Sequence, residues 1–194
     1  MLGGSAIRMA QLIKEQELSA SVICVDPFTG DVNMWAWEQE LTHRNQWRFL
    51  RLEKGRPTIY DRFLANCVAA HCNDIILPIN TTSTVGMKLL KRLYSERRIN
   101  ELPNYRYLDS AHEPRETLLE LHLAWDLLVD GGILFGDDWS WDSVRHDVLQ
   151  FASEAIDTID LRFAEQIAAK LPGSVLQDGI LLYEGQWVMR KTSA

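Results

Sequence analysis

The chain has 194 residues, 46% of them hydrophobic and 24% charged, with a formal charge of −7. That length suits one domain with a substantial core, the composition is ordinary for a globular protein, and the acidic balance argues against a nucleic-acid partner because no broad basic field would gather phosphates. No apolar run reaches the ~20 residues of a membrane span and no apolar leader follows Met1, so the expected setting is the cytoplasm, with a small molecule as partner and room for a homo-oligomer.

In chain order, residues 5–17 read as a helix, with Ser5 available as a cap and Ile7, Ala10, Leu12 and Ile13 on its apolar side. Ser21 to Val25 is a short β-branched strand, closed by Asp26-Pro27 and a Thr29-Gly30-Asp31 turn. Residues 32–56 carry tryptophans and charges without a clean period; they read as a loop with short helical pieces. Trp35 and Trp37 make this segment a candidate cover over a planar substrate, though packing of a long surface loop explains them equally. Pro57 opens a helix to about Cys72, with Tyr60, Phe63, Leu64, Cys67 and Val68 inward.

Asp74 to Ile79 is the next strand, and residues 84–97 form a helix whose apolar positions are Val85, Leu89, Leu90 and Leu93. Tyr105 to Leu108 is a strand, followed by a helix from about Pro114 to Val129 with Leu118, Leu121, Leu123, Trp125 and Leu128 buried. Ile133 to Gly136 is a strand. Ser140 can cap a helix that includes Val144, Val148, Leu149 and Phe151. Residues 160–171 are a helix or a loop, and the chain closes on a hairpin, Ile180 to Tyr183 and Gln186 to Arg190 around Glu184-Gly185. Three cysteines, Cys24, Cys67 and Cys72, form no C-x-x-C pair, which suits a reducing compartment.

Alternating helices and strands predict an α/β domain over residues 1–194, with a mostly parallel sheet and a C-terminal antiparallel hairpin. A doubly wound domain normally begins with a strand whose exit loop leads into the first helix. Here Met1-Leu2-Gly3-Gly4-Ser5 already reads as that exit loop, so the first strand is expected to be missing, through truncation, as a fragment, or with a partner filling the gap.

Two strands end in acid. Val129-Asp130-Gly131-Gly132-Ile133-Leu134-Phe135-Gly136-Asp137-Asp138 is a turn, a buried strand and two carboxylates; Tyr105-Arg106-Tyr107-Leu108-Asp109 is its upstream echo. Open α/β sheets bind ligands outside the carboxyl ends of their strands. Asp109, Asp137 and Asp138 are therefore candidate ligands for Mg2+ or a similar divalent cation. Adjacent side chains on an extended segment point to opposite faces, so both bind one ion only if the backbone bends, which Gly136 would permit. The alternative is a turn cap, and on spacing alone the two readings stand level. His112, three residues after Asp109, could serve as a base for a substrate hydroxyl, or be a helix-start histidine held for structural reasons. Asp26, at the end of the first strand, could hold ribose hydroxyls or form an Asx turn before Pro27. Gly3, Gly4 and Ser5 could present helix N-terminal donors to an anionic group.

Taken together, these segments resemble class I S-adenosylmethionine-dependent methyltransferases, in particular the branch of macrocin-type sugar O-methyltransferases and cephalosporin-hydroxylase-like proteins. The resemblance rests on Gly3-Gly4-Ser5-Ala6-Ile7-Arg8-Met9-Ala10, Val22-Ile23-Cys24-Val25-Asp26, Leu108-Asp109-Ser110-Ala111-His112-Glu113, Leu128 through Asp138, and Trp187-Val188-Met189-Arg190-Lys191. It implies a Rossmann-like methyltransferase fold and a metal-assisted O-methyltransferase. Gly3, Gly4, Ser5 and Asp26 would bind S-adenosylmethionine, Asp109, Asp137 and Asp138 would bind the metal, and His112 would be the base. The competing readings are a non-catalytic or truncated protein of the same fold, and another metal-dependent small-molecule enzyme.

Overall fold

The alternation of helix and strand is present in the computed structural model, which describes residues 2–31, 34–35, 46–110 and 112–193. The expected cover segment, including Trp37, lies outside the described residues at 32–33 and 36–45; Trp35 is described and exposed. The chain forms two units, residues 1–86 and residues 87–194.

The first unit holds α1 (Gly4–Glu15), β1 (Val22–Asp26), a short antiparallel pair β2 (Leu52–Glu53) and β3 (Arg56–Pro57), α2 (Ile59–Ala69), β4 (Ile76–Asn80) and the start of α3 (Ser83–Ser95). β1 and β4 are parallel, in register from Val22 opposite Ile76 to Asp26 opposite Asn80. Ala6 and Ala10 sit one turn apart on α1, where their small side chains let the helix pack closely against Phe63, Cys67 and Ile76. Phe28 joins the same core, its ring 4.9 Å from Tyr60 and 5.0 Å from Phe63. All three cysteines are free thiols.

Two helix starts differ from the sequence reading. α1 is capped by Gly3 rather than Ser5: Gly3 has φ 92, a conformation strained for any residue with a side chain, and a Cβ there would crowd the Phe63 ring at 3.1 Å. α2 begins at Ile59 because Pro57 is taken up opposite Leu52, a position where a missing N–H is tolerated. Val68 is 57% exposed, not inward. The buried stripe runs Ile59, Phe63, Cys67, at i, i+4 and i+8, and the next residue lies about 100° around the helix.

The second unit holds the rest of α3, then β5 (Tyr105–Leu108), α4 (Glu116–Asp126), β6 (Ile133–Gly136), α5 (Asp142–Glu154), α6 (Leu161–Ala168), β7 (Val175–Gln177), β8 (Ile180–Tyr183) and β9 (Gln186–Arg190). Its sheet has the order β5-β6-β9-β8-β7; β5 and β6 are parallel and the other pairs antiparallel. The parallel ladders thus lie in two separate sheets, and among the described residues β1 pairs only with β4 and β5 only with β6.

The C-terminal hairpin forms over the expected residues, with Glu184 at φ 49 and Gly185 at φ 83, as a two-residue turn of the type I′ kind needs. A third strand, β7, extends it through a second such turn, Asp178 at φ 51 and Gly179 at φ 79. β7 escapes pattern reading because its three residues are all exposed. α4 and α5 pack through Leu121, Ala124, Trp125, Val148 and Phe151. The buried Asp147 carboxylate on α5 accepts the Leu118 N–H at 3.1 Å, satisfying a donor in the first turn of α4. α5 starts after Trp141, not Ser140, because residues 138–141 form a turn closed by Trp141 N–H to Asp138 O at 2.9 Å. No helix among the described residues is long and apolar enough to cross a membrane.

Candidate active site

Leu108 at the end of β5 lies opposite Gly136 at the end of β6, so Asp109 and Asp137 leave the sheet side by side. The Asp137 N–H extends the ladder by one bond, donating to Leu108 O at 3.2 Å. Gly136 is needed for space rather than for a bend: a Cβ there would stand 2.3 Å from Trp187 Cζ2 and 2.7 Å from Leu108 O. Trp187 is buried in that space, and its indole N–H donates to Asp137 O at 3.1 Å.

The bend falls one step later, at Asp138, whose φ is 60. Aspartate tolerates this left-handed conformation better than most residues. The bend separates the roles of the two carboxylates. Asp137 turns back on its own strand end: Oδ1 accepts the Asp138 N–H at 2.9 Å and Oδ2 accepts the Tyr107 hydroxyl at 3.3 Å. Asp138 reaches across to His112, with Oδ2 2.6 Å from Nε2. The His112 ring leans on Trp141 at 4.9 Å between centroids, and its carbonyl accepts from Ser143 Oγ at 2.5 Å.

Asp109, His112 and Asp138 each offer a ligand atom, and these atoms lie within 4.8 Å of one another. The metal set expected from sequence was Asp109, Asp137 and Asp138; the structure groups His112 with Asp109 and Asp138, and places Asp137 in the turn beside them. Partial burial raises the Asp109 pKa, and the negative charges of Asp138 and then Asp137 raise it further. A carboxyl group in that position gains from a cation that removes the repulsion. Two carboxylates and an imidazole suit a divalent cation of intermediate hardness, such as Mn2+, as well as Mg2+. They line a small cleft together with Ser110, Thr117, Glu120, Val144 and Trp187.

The residues expected at the cofactor all stand in the first unit. Gly3 is buried, and Gly4 and Ser5 are exposed in the first turn of α1, which contains no acidic residue to repel an anion. Asp26 ends β1 and its Oδ1 accepts the Phe28 N–H at 2.6 Å, an Asx-turn bond.

Sequence reasoning missed Ser110, Glu120, Ser143 and Trp187 at this site. Glu120 carried a signal: with Thr117 and Ala124 it falls on the buried face of α4, and all three are buried. A carboxylate on an apolar helix face needs a reason to be there.

The fold and this acid-rich strand edge define an α/β protein of Rossmann-like methyltransferase architecture. The chain belongs to the family described as methyltransferase domain, whose model matches residues 1–139. Among solved structures, it is similar to the calicheamicin methyltransferase CalS11, with a TM-score of 0.54, 16% identity, and coverage of 97% of this chain and 68% of that one. It is also similar to an O-methyltransferase from Bacillus cereus solved in complex with SAH, with a TM-score of 0.48, 12% identity, and coverage of 98% and 81%. A third, the MycE methyltransferase of mycinamycin biosynthesis, solved with Mg, SAH and mycinamycin VI, has a TM-score of 0.44, 10% identity, and coverage of 96% and 49%. No curated protein matches the chain in sequence.

Proposed function

We propose that the chain is an S-adenosylmethionine-dependent O-methyltransferase for a small-molecule hydroxyl, of the macrocin-type branch, with a divalent cation held by Asp109, His112 and Asp138. The observation that carries this reading is the convergence of those three side chains at the strand ends of a methyltransferase-family domain. S-adenosylmethionine supplies an electrophilic methyl group on a sulfonium, and a bound cation lowers the pKa of a hydroxyl beside it.

The chain's own residues divide the remaining work. Asp26 would accept from the ribose hydroxyls of the methyl donor, and the first turn of α1, free of acid, would hold an anionic group of it. Asp109 and Asp138 would place negative charge around the cation, while the Asp137 carboxylate holds the Asp138 backbone by accepting the Asp138 N–H. His112, held against Asp138 and Trp141, would present its imidazole nitrogen to the cation as the third ligand.

Calorimetric titration of the full chain with S-adenosylmethionine, with and without Mn2+ or Mg2+, tests the reading. Micromolar cofactor uptake, and metal uptake abolished by Asp138→Asn, are expected. Absence of cofactor binding at millimolar concentration refutes the methyltransferase reading; unchanged metal binding after Asp109→Asn and Asp138→Asn refutes the metal site.

A further inference from the structure

Glu120 is 5% exposed, in the interior of α4 between Thr117 and Ala124. A buried carboxyl group costs several kcal/mol to desolvate unless good hydrogen bonds hold it, and an apolar residue would fill the same place without that cost. Its Oε2 accepts a hydrogen bond from Ser110 Oγ at 2.5 Å. Ser110 directly follows Asp109 and precedes His112 by two positions, so it stands inside the loop that carries two of the three clustered ligand atoms. The other end of this loop is held separately, by Ser143 of α5 donating to His112 O. Both attachments join the loop to helices that are themselves locked together by Asp147 and the Leu118 N–H.

We propose that Glu120 is a positioning residue: through Ser110 it fixes the loop from Asp109 to His112 so that both side chains converge with Asp138 on one cation. This rests on the metal reading above and adds a residue to it. Glu120 touches neither acceptor nor cofactor in this scheme. It acts on the direction of Asp109, whose carboxyl group must face Asp138 despite the like charge of that neighbour. Partners that orient metal ligands in this way typically contribute tenfold to a hundredfold in metal affinity.

The test is Mn2+ affinity by calorimetric titration, with thermal unfolding of the same samples, for the full chain and for Ser110→Ala, Ser110→Thr, Glu120→Gln and the double variant Ser110→Ala/Glu120→Gln. Ser110→Ala should weaken Mn2+ binding by about tenfold or more. Ser110→Thr, which keeps the hydroxyl, should restore most of it, and the double variant should bind no worse than Ser110→Ala, since both changes remove one interaction. Glu120→Gln keeps an acceptor oxygen but not the charge, and should fall between. If melting temperature drops while Mn2+ affinity stays at the wild-type value, the pair serves stability alone and the proposal is overturned. If Ser110→Ala does not fold, Glu120→Gln decides, and unchanged affinity there overturns it. No Mn2+ uptake by the wild-type chain overturns the metal reading itself, and the proposal with it.

Discussion

Replacing Arg106 by Met should make the protein more stable. Arg106 lies on β5 opposite Leu134, whose partner on the far side is Met189; both of these are fully buried. Side chains at paired positions share a face of the sheet, so the guanidinium enters apolar surroundings. Its Nε and Nη2 are buried with no hydrogen-bond partner among the described residues. Burial lowers its pKa to about 10. At about 1.4 kcal/mol per pKa unit, the charged form has lost on the order of 3 kcal/mol relative to water. Unsatisfied buried donors are expected to cost about 1–3 kcal/mol, the same order. Methionine keeps an unbranched stem of similar reach, so little packing is lost. The net gain should be about 1–3 kcal/mol, or about 4–8 °C in melting temperature per kcal/mol for a unit of about a hundred residues. Differential scanning calorimetry at neutral pH measures it. The pH dependence has a definite sign: the unfolded chain binds the proton more tightly, so wild-type stability rises as pH climbs above about 10, and the gap to the variant narrows there. A lower melting temperature for Arg106→Met at neutral pH would show that the guanidinium has an anionic partner, and the reasoning would fail.

Three further outcomes follow from the geometry. Asp138→Asn, which keeps a residue tolerant of the φ of 60, should lower Mn2+ affinity by at least tenfold, while Asp137→Asn, whose carboxylate is spent on Tyr107 and the Asp138 N–H, should lower it far less; equal losses in a calorimetric titration would contradict the assignment. Gly136→Ala should destabilise by about 1–3 kcal/mol in urea unfolding and alter the near-ultraviolet signal of Trp187, because the added methyl overlaps the indole; a wild-type midpoint would refute the contact. Burial, with the charge of Asp26 second, raises the Cys24 thiol to about 11, so its alkylation by iodoacetamide should be slow at pH 8 and accelerate toward pH 11. Since the folded-state pKa is the higher one, the associated stability is complete below about 9 and is lost as pH rises through about 11; rapid modification at pH 8 would exclude this environment.

The strand ends were legible because they depend on local signals. Val22 to Asp26, Tyr105 to Leu108 and Ile133 to Gly136 are short apolar runs that stop at acid, and the parallel pairing of the last two sets their ends side by side. The terminal hairpin was legible because Glu184-Gly185 is a turn signal between two alternating runs; Asp178-Gly179 is the same signal, and only the brevity of β7 concealed its strand. The composition of the candidate cluster at these strand ends was a different matter. It turns on the backbone of one residue. With Asp138 extended, its side chain would alternate with that of Asp137 across the sheet. With Asp138 at φ 60, it faces His112, and Asp137 becomes part of the turn. Nothing in the pair Asp137-Asp138 selects between these states, because the selecting contacts are distant in sequence. Trp187 fills the space above Gly136 and holds the Asp137 carbonyl, and the Trp139 N–H donates to Gly185 O at 3.0 Å in the hairpin turn. The C-terminal hairpin therefore sets which acid faces the histidine. If the proposed cation site is correct, loosening the hairpin, as Gly136→Ala should, is expected to weaken metal binding as well as folding, although neither Gly136 nor Trp187 is among the three clustered side chains.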